Sequence, residues 1–421
     1  MDAGVESGGF SRHWKLWVAL FWLATAALLI FDRWNYIRWF ALGDTDDNMR
    51  MMQVRALLGG QGWYDLRQYR LDPPFGANIH WSRLVDLPIA GIILAMKPLF
   101  GGAAAERIAV ALAPMLPMAP AMAAIAVIAR RMVSPKAFAL AIALLLCAHS
   151  VRLMWVPLRI DHHGWQLAML SLAMLALVDR RQARSGLTLG VASAVSLNIG
   201  LEMLPYLALA GALAVFYWIV DGSQRQRLLA YGASLAGGCA LGYLLFASYA
   251  NQGPVCDALS PVWLSAMVAA GALAALFGMV SPKSAGVRLA VAAVGGAVLA
   301  AAFAYSWPHC LGQLEGVSPE AKRLWLDNVR EAQPVYKHDW GVIAVIASLP
   351  LIALIGYAIT LWRMRADKEA LIRWAALAAL GLASTMMLFW QTRAGPAAQL
   401  LAVPGATALA WLIIPRVQAS P

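Results

Sequence analysis

The chain has 421 residues, of which 61% are hydrophobic and 13% charged, and a formal net charge of +11. That much apolar surface exceeds what one soluble core buries, which excludes a soluble enzyme, a disordered chain and a secreted disulfide scaffold. The basic residues fall in short clusters between apolar runs, a pattern of membrane topology and not of nucleic-acid binding.

The apolar runs approach the length that crosses a bilayer and show no strict alternation, so helices are favoured over a barrel. Residues 14–31 form the first run. It is longer than a secretory h-region and is followed by Asp32, Arg33 and Trp34 without a small-residue cleavage site, so it reads as an uncleaved anchor. With Arg12 and Lys15 in the cytoplasm, it leads into a first external loop, residues 43–83. Residues 84–100 are short and carry Pro88, Lys97 and Pro98, the profile of a re-entrant or interfacial helix. Counting them as non-spanning lets 103–128 run inward and puts Arg130, Arg131 and Lys136 inside.

The same parity takes 137–157 out to an acidic segment at 158–164, and 164–178 back to Arg180, Arg181 and Arg184. Residues 186–200 and 203–220 make a hairpin closed outside near Glu202, ahead of inside residues Arg225 and Arg227. Runs 228–247, 262–280 and 289–305 follow, with Lys283 and Arg288 inside, and lead to a second long external loop, 306–340. Runs 341–362, 374–390 and 397–414 complete an all-α polytopic bundle of about 12–13 transmembrane helices in a single membrane domain. The cysteines show no CxxC spacing. Cys147 and Cys239 fall in spans and Cys256 and Cys310 outside, so a Cys256–Cys310 bridge fits an oxidising compartment.

Carboxylates are scarce and cluster on the external side. Asp44, Asp46 and Asp47 repel one another unless solvated or neutralised by a cation. Asp44 or Thr45 also suits the cap of a helix carrying Met49, Met52, Val54 and Leu57. Asp161-His162-His163 falls on the same face. Carboxylate oxygens with imidazole nitrogens suit Mn²⁺, Mg²⁺ or Zn²⁺, and tandem histidines on a helix point apart, so at most one ligates. A polar turn capping the next helix is the competing reading. Residues 62–83 combine Trp63, Tyr64, Tyr69 and Trp81 with Arg67, Arg70 and Arg83, which fits sugar stacking with phosphate pairing, or a headgroup-level belt. Arg393, beside Gln391 at the external end of a span, is either an anion ligand or an anchor.

Taken in order, these motifs resemble the GT-C glycosyltransferases, above all the catalytic subunit of oligosaccharyltransferases. Asp44, Asn48 and Arg50 fit the spacing of that family's first-loop motif, and Gly62-Trp63-Tyr64, Asp72-Pro73 and Gly76 its continuation. This register puts the catalytic aspartate on Asp44; that of the related lipid A aminoarabinose and mannosyl transferases selects Asp47. Asp161-His162-His163 is similar to the second acidic motif, with His163 in place of a carboxylate. Arg330-Glu331-Ala332-Gln333-Pro334 resembles the fifth-loop motif, Arg393 the late-span arginine, and residues 197–205 the inter-span segment. The chain stops at Pro421 without the family's large external domain, so sequon-directed N-glycosylation is not expected.

The resemblance implies transfer of a sugar or glycan from a polyprenyl-phosphate or polyprenyl-pyrophosphate donor to a glycan, lipid or protein acceptor, at the periplasmic face of a bacterial inner membrane. It implies a divalent cation, Mn²⁺ or Mg²⁺, on Asp44, Asp161 and His163, and donor phosphate on Arg393, Arg50 and Arg83. Glu331, with Asp46 or Asp47, would orient or deprotonate the acceptor, and His162, Trp81 and Gln333 would contact acceptor or sugar. The alternative class is a transporter or flippase of a lipid-linked substrate. Acids confined to one face and the absence of a repeat weigh against it.

Overall fold

The structure, a computed structural model, describes residues 9–312 and 317–418. Among these, eight helices are long and apolar enough to cross a membrane, from Trp14–Asp32 near the N-terminus to Thr392–Ile414. Three shorter apolar helices, Phe138–Cys147, His163–Leu177 and Leu204–Val220, and the helix Gln182–Ile199 stand where the sequence places further spans. Strand among the described residues is confined to Arg67–Gln68 paired antiparallel with Ala77–Asn78. The chain is therefore an all-α polytopic membrane protein.

Lipid tails are as apolar as leucine, so helices in a bilayer associate through close packing more than through hydrophobic drive. The core follows that rule. Met118, Leu167, Met174, Leu189, Ala210 and Leu401 are buried in one cluster, and Gly232 faces Gly271 so closely that a Cβ on either would strike the opposite backbone. The helix Arg83–Phe100 is amphipathic and is not among the eight. Pro88 and Pro98 lie within it, and its inner face, Ile89, Ala90 and Ile93, packs on Met51, Val54, Ala105 and Ala109.

Polar contacts divide the bundle into two ends. At one, the basic clusters meet: Arg130 donates to the Ser11 carbonyl, Arg131 lies 3.6 Å from Asp179, Arg180 pairs with Glu369, and Arg288 caps the Ile219 carbonyl. At the other, the Tyr249 amide donates to the Tyr64 carbonyl, Trp63 Nε1 to Leu245 O and Tyr64 Oη to Leu244 O. Trp63 and Tyr64 thus spend their polar atoms fastening the first loop to the helix Arg225–Phe246. Cys256 and Cys310 are bridged at this end, with Cα atoms 5.4 Å apart. The second long loop contributes the helix Pro319–Leu324 and several single 3₁₀ turns.

Candidate active site

The site grows from one helix start. Asp44 is the cap of Thr45–Leu58 and accepts the Asp46 amide at 3.2 Å through Oδ1, which leaves Oδ2 to accept from Arg159. Three residues on, Asp47 points inward and is buried. Its Oδ1 accepts the Asp161 amide at 3.1 Å, which joins the two acidic motifs across 114 residues of sequence. Asp46 lies on another side of the helix and makes no side-chain ion pair among the described residues, since successive helical residues diverge by about 100°.

The approach to Asp161 is bent at Leu158, whose φ of 76° is a left-handed conformation rarely taken by a bulky residue. Its amide is held by the Val110 carbonyl at 2.8 Å. The bend delivers Arg159, a residue not foreseen in the sequence, into the middle of the acids. Arg159 Nη2 lies 2.7 Å from Asp161 Oδ2, and Nη1 pairs with Asp44 and stands 3.6 Å from Asp47 Oδ2. One guanidinium thus faces three carboxylates. Burial, reinforced by the Asp161 charge, pushes Asp47 up to about 7. For Asp44, burial pushes upward too, but the Arg159 hydrogen bond and charge outweigh it, and its carboxyl stays below the usual range.

His163 extends the cluster, with Nδ1 3.1 Å from Asp161 Oδ2. Gly164 lets this helix start approach Met154 and Trp155, where a Cβ would lie 2.6 Å from the Met154 carbonyl. The tandem histidines do not point apart as two helical residues would, because His162 is the residue before the helix His163–Leu177 begins. The His162 ring stacks on His163, with centroids 4.4 Å apart, and lies 5.6 Å from Trp81. Arg50 Nη2 approaches its Nδ1 at 3.4 Å, and Glu202 Oε1 its Nε2 at 2.8 Å. A guanidinium can only donate, so Nδ1 accepts, Nε2–H donates to Glu202, and the ring is neutral. Burial lowers the His162 pKa in the same sense. Glu202 also accepts Gln166 Nε2 at 2.6 Å. Both residues that sequence reasoning missed carried a signal: Arg159 is the one cation beside the second acidic motif, and Glu202 the one acid in a hairpin between apolar runs.

Arg50 and Arg83 are placed differently from the expectation that they bind donor phosphate. Their side chains and that of Asp86 are fully buried, with Arg50 Nη1 2.9 Å and Arg83 Nη1 3.3 Å from the Asp86 carboxylate. The remaining donors of Arg83 go to carbonyls of Gln53, Trp63 and Asp65, and the Arg50 guanidinium covers the Trp81 ring at 4.7 Å. They brace the first loop. Arg33 and Arg159 are the cations that line the roughly 340 Å³ cavity in front of Asp44 and Asp47, together with Tyr36 and Gly43.

Glu331 and Arg393 come together as an exposed ion pair. Gln333 holds this unit by its backbone: its carbonyl accepts the Thr392 amide at 2.8 Å, and its side chain donates to the Asp327 carbonyl. Among the described residues no hydrogen bond or ion pair links Glu331 to the aspartates. The two parts are connected through the helix His149–Leu153, where the Ser150 amide donates to Gln399.

Hard carboxylate oxygens and an imidazole are the donor chemistry of a divalent-ion centre. Asp47 and Asp161 meet through the Asp161 amide, and His163 Nδ1 lies 3.1 Å from Asp161 Oδ2. Asp44 has one oxygen committed to its helix cap. His162, His163 and Glu202 also offer ligand atoms within 4.8 Å of one another.

Fold and site together define a polytopic membrane protein with an acidic centre at one end of its bundle. Solved structures with the same fold are oligosaccharyltransferases of Archaeoglobus fulgidus. The apo form superposes with a TM-score of 0.70 at 18% identity, over 98% of this chain and 52% of that one. Archaeal oligosaccharyltransferase AglB, in complex with an inhibitory peptide and a dolichol-phosphate, gives 0.66 at 16% identity, with the same shares. A complex of the oligosaccharyltransferase with Zn and sulfate gives 0.63 at 16% identity, over 94% and 50%. The chain therefore shares the fold of these proteins and spans about half of their length. No protein-family model and no curated protein matches the sequence.

Proposed function

We propose that this chain is a membrane glycosyltransferase that moves a sugar or glycan from a polyprenyl-phosphate or polyprenyl-pyrophosphate donor to an acceptor at the periplasmic face of a bacterial inner membrane. The observation that carries the reading is the convergence of Asp44, Asp47 and Asp161 on one guanidinium, beside a cavity lined by a second arginine. Likeness to proteins solved with a dolichol-phosphate and with an acceptor peptide supports a lipid-linked donor.

Asp47, Asp161 and His163 would hold a divalent ion, Mn²⁺ or Mg²⁺. When bound, the ion neutralises negative charge developing on the leaving phosphate. Arg33 and Arg159 would pair with that phosphate, bidentate partners facing the cavity, and Arg393 would add a third contact. Glu331 would orient the acceptor or take its proton. Glu202 fixes the His162 tautomer, which backs the His163 ring. The test is lipid analysis of a deletion strain: a polyprenyl-linked sugar should accumulate, and be cleared by the wild-type gene but not by Asp161→Asn. A strain with unchanged polyprenyl-linked lipids would overturn the reading.

A further inference from the structure

At the end of the bundle opposite the acidic centre lies a cavity of about 320 Å³, where Leu204–Val220 ends and Arg225–Phe246 and Lys368–Met387 begin. Its floor is apolar, formed by Tyr217, Val220 and Ile372, and its mouth is charged. The charges do not balance locally. Arg180 and Arg373 approach the same oxygen of Glu369, at 3.2 and 2.6 Å. Arg373 Nε is buried without a hydrogen-bond partner. The Lys368 ammonium has no partner among the described residues.

The other two acids on the wall are already engaged. Asp179 takes both oxygens to Arg184, at 2.6 and 2.8 Å, with Arg131 beyond. Asp221 caps the turn that follows it, accepting from Ser223 and Gln224. Two cations thus share one carboxylate oxygen, and a third stands beside them unpaired among the described residues. Lys368 adds its charge at the positive end of a 20-residue helix, where an anion and not a lysine is the stabilising partner.

We propose that this cavity binds the phosphate of an anionic phospholipid headgroup. Two helices long and apolar enough to cross a membrane and the shorter apolar helix Leu204–Val220 reach it at their ends, which sets it at headgroup depth, and basic pockets between helix ends suit such headgroups. Phosphate oxygens would take Lys368, Arg180 and the free edge of Arg373, while the glycerol end of the lipid would rest on Tyr217 and Ile372. The site is separate from the acidic centre and does not depend on the proposed transfer reaction.

The experiment uses the full chain, purified from mixed lipid and weighed intact by native mass spectrometry, with phosphatidylglycerol and phosphatidylcholine as probes. Retention of phosphatidylglycerol over phosphatidylcholine is expected, reduced about tenfold in the double variant Lys368→Gln/Arg180→Gln. Both of its positions are solvent-facing and leave the fold intact, whereas Arg373→Gln tests the buried edge. Equal retention of the two lipids, or retention unaffected in the double variant, overturns the proposal. So does binding of inorganic phosphate that depends on Lys368 in phosphatidylcholine discs with no retention of phosphatidylglycerol, which would make the ligand a soluble phosphate.

Discussion

Two arginine–aspartate clusters lie side by side at the acidic end, with opposite arithmetic. In the brace, two guanidiniums close on one carboxylate, all three side chains are fully buried, and backbone carbonyls take the spare donors. In the open cluster, one guanidinium faces three carboxylates, beside a cavity. The first has a surplus of donors that the loop backbone absorbs, so it fixes structure. The second has more carboxylates than guanidiniums, a surplus that the fold eases only through His163 beside Asp161 and the raised Asp47 carboxyl, so it is suited to a further cation. The same pair of residue types thus does two jobs, divided by stoichiometry and access to solvent.

The sharpest way to break that contrast is to remove one carboxylate from each cluster. Asp161→Asn should lower sugar transfer by roughly 10³-fold or more while the protein still purifies as a folded monodisperse species. Retained turnover in a reconstituted donor assay would remove Asp161 from the chemistry. Asp86→Asn should act on folding, because it strands two buried guanidiniums, at a cost of about 3–5 kcal/mol. Its signature is lost yield and a lower melting temperature, and an undiminished melting temperature would show that the brace is dispensable.

Arg159→Ala tests the surplus directly. Without its resident cation the acidic cluster should be less stable in chelator and bind Mn²⁺ about tenfold more tightly, read as a larger thermal shift on adding the ion. Unchanged Mn²⁺ affinity would mean that Arg159 and an ion do not compete for one place. A similar change should follow pH. Asp47 is raised to about 7 in the fold, so the proton it gains on folding stabilises at low pH, and that contribution fades as pH rises through 7. An ion needs the ionised form, so Mn²⁺ binding should strengthen about tenfold from pH 6 to pH 8. A flat profile by calorimetry would exclude Asp47 as a ligand. The smallest effect is expected at Arg393→Lys, a several-fold loss in donor use at equal folded protein, since lysine offers phosphate only a point charge. Equal turnover over a donor titration would leave Arg393 as an anchor.

Much of this was legible in the chain. Apolar runs of spanning length and basic clusters at alternating gaps determine a helical membrane bundle with its short basic clusters at one end, because transfer into lipid and charge placement act on local composition. The acidic motifs and the outlying Cys256 and Cys310 were legible for the same reason. Tertiary structure decided which acids and bases meet. Asp47 and not Asp46 joins Asp161 because a helix turns adjacent residues apart, and its partner amide is 114 residues away. Arg50 and Arg83, cationic in any reading of the loop, are withdrawn by the buried Asp86, while Arg33 and Arg159 reach the cavity. Glu202 joins the histidines only because two spans return it to them. A sequence states which charges a chain owns; their pairing depends on distance and desolvation, which only the folded chain sets.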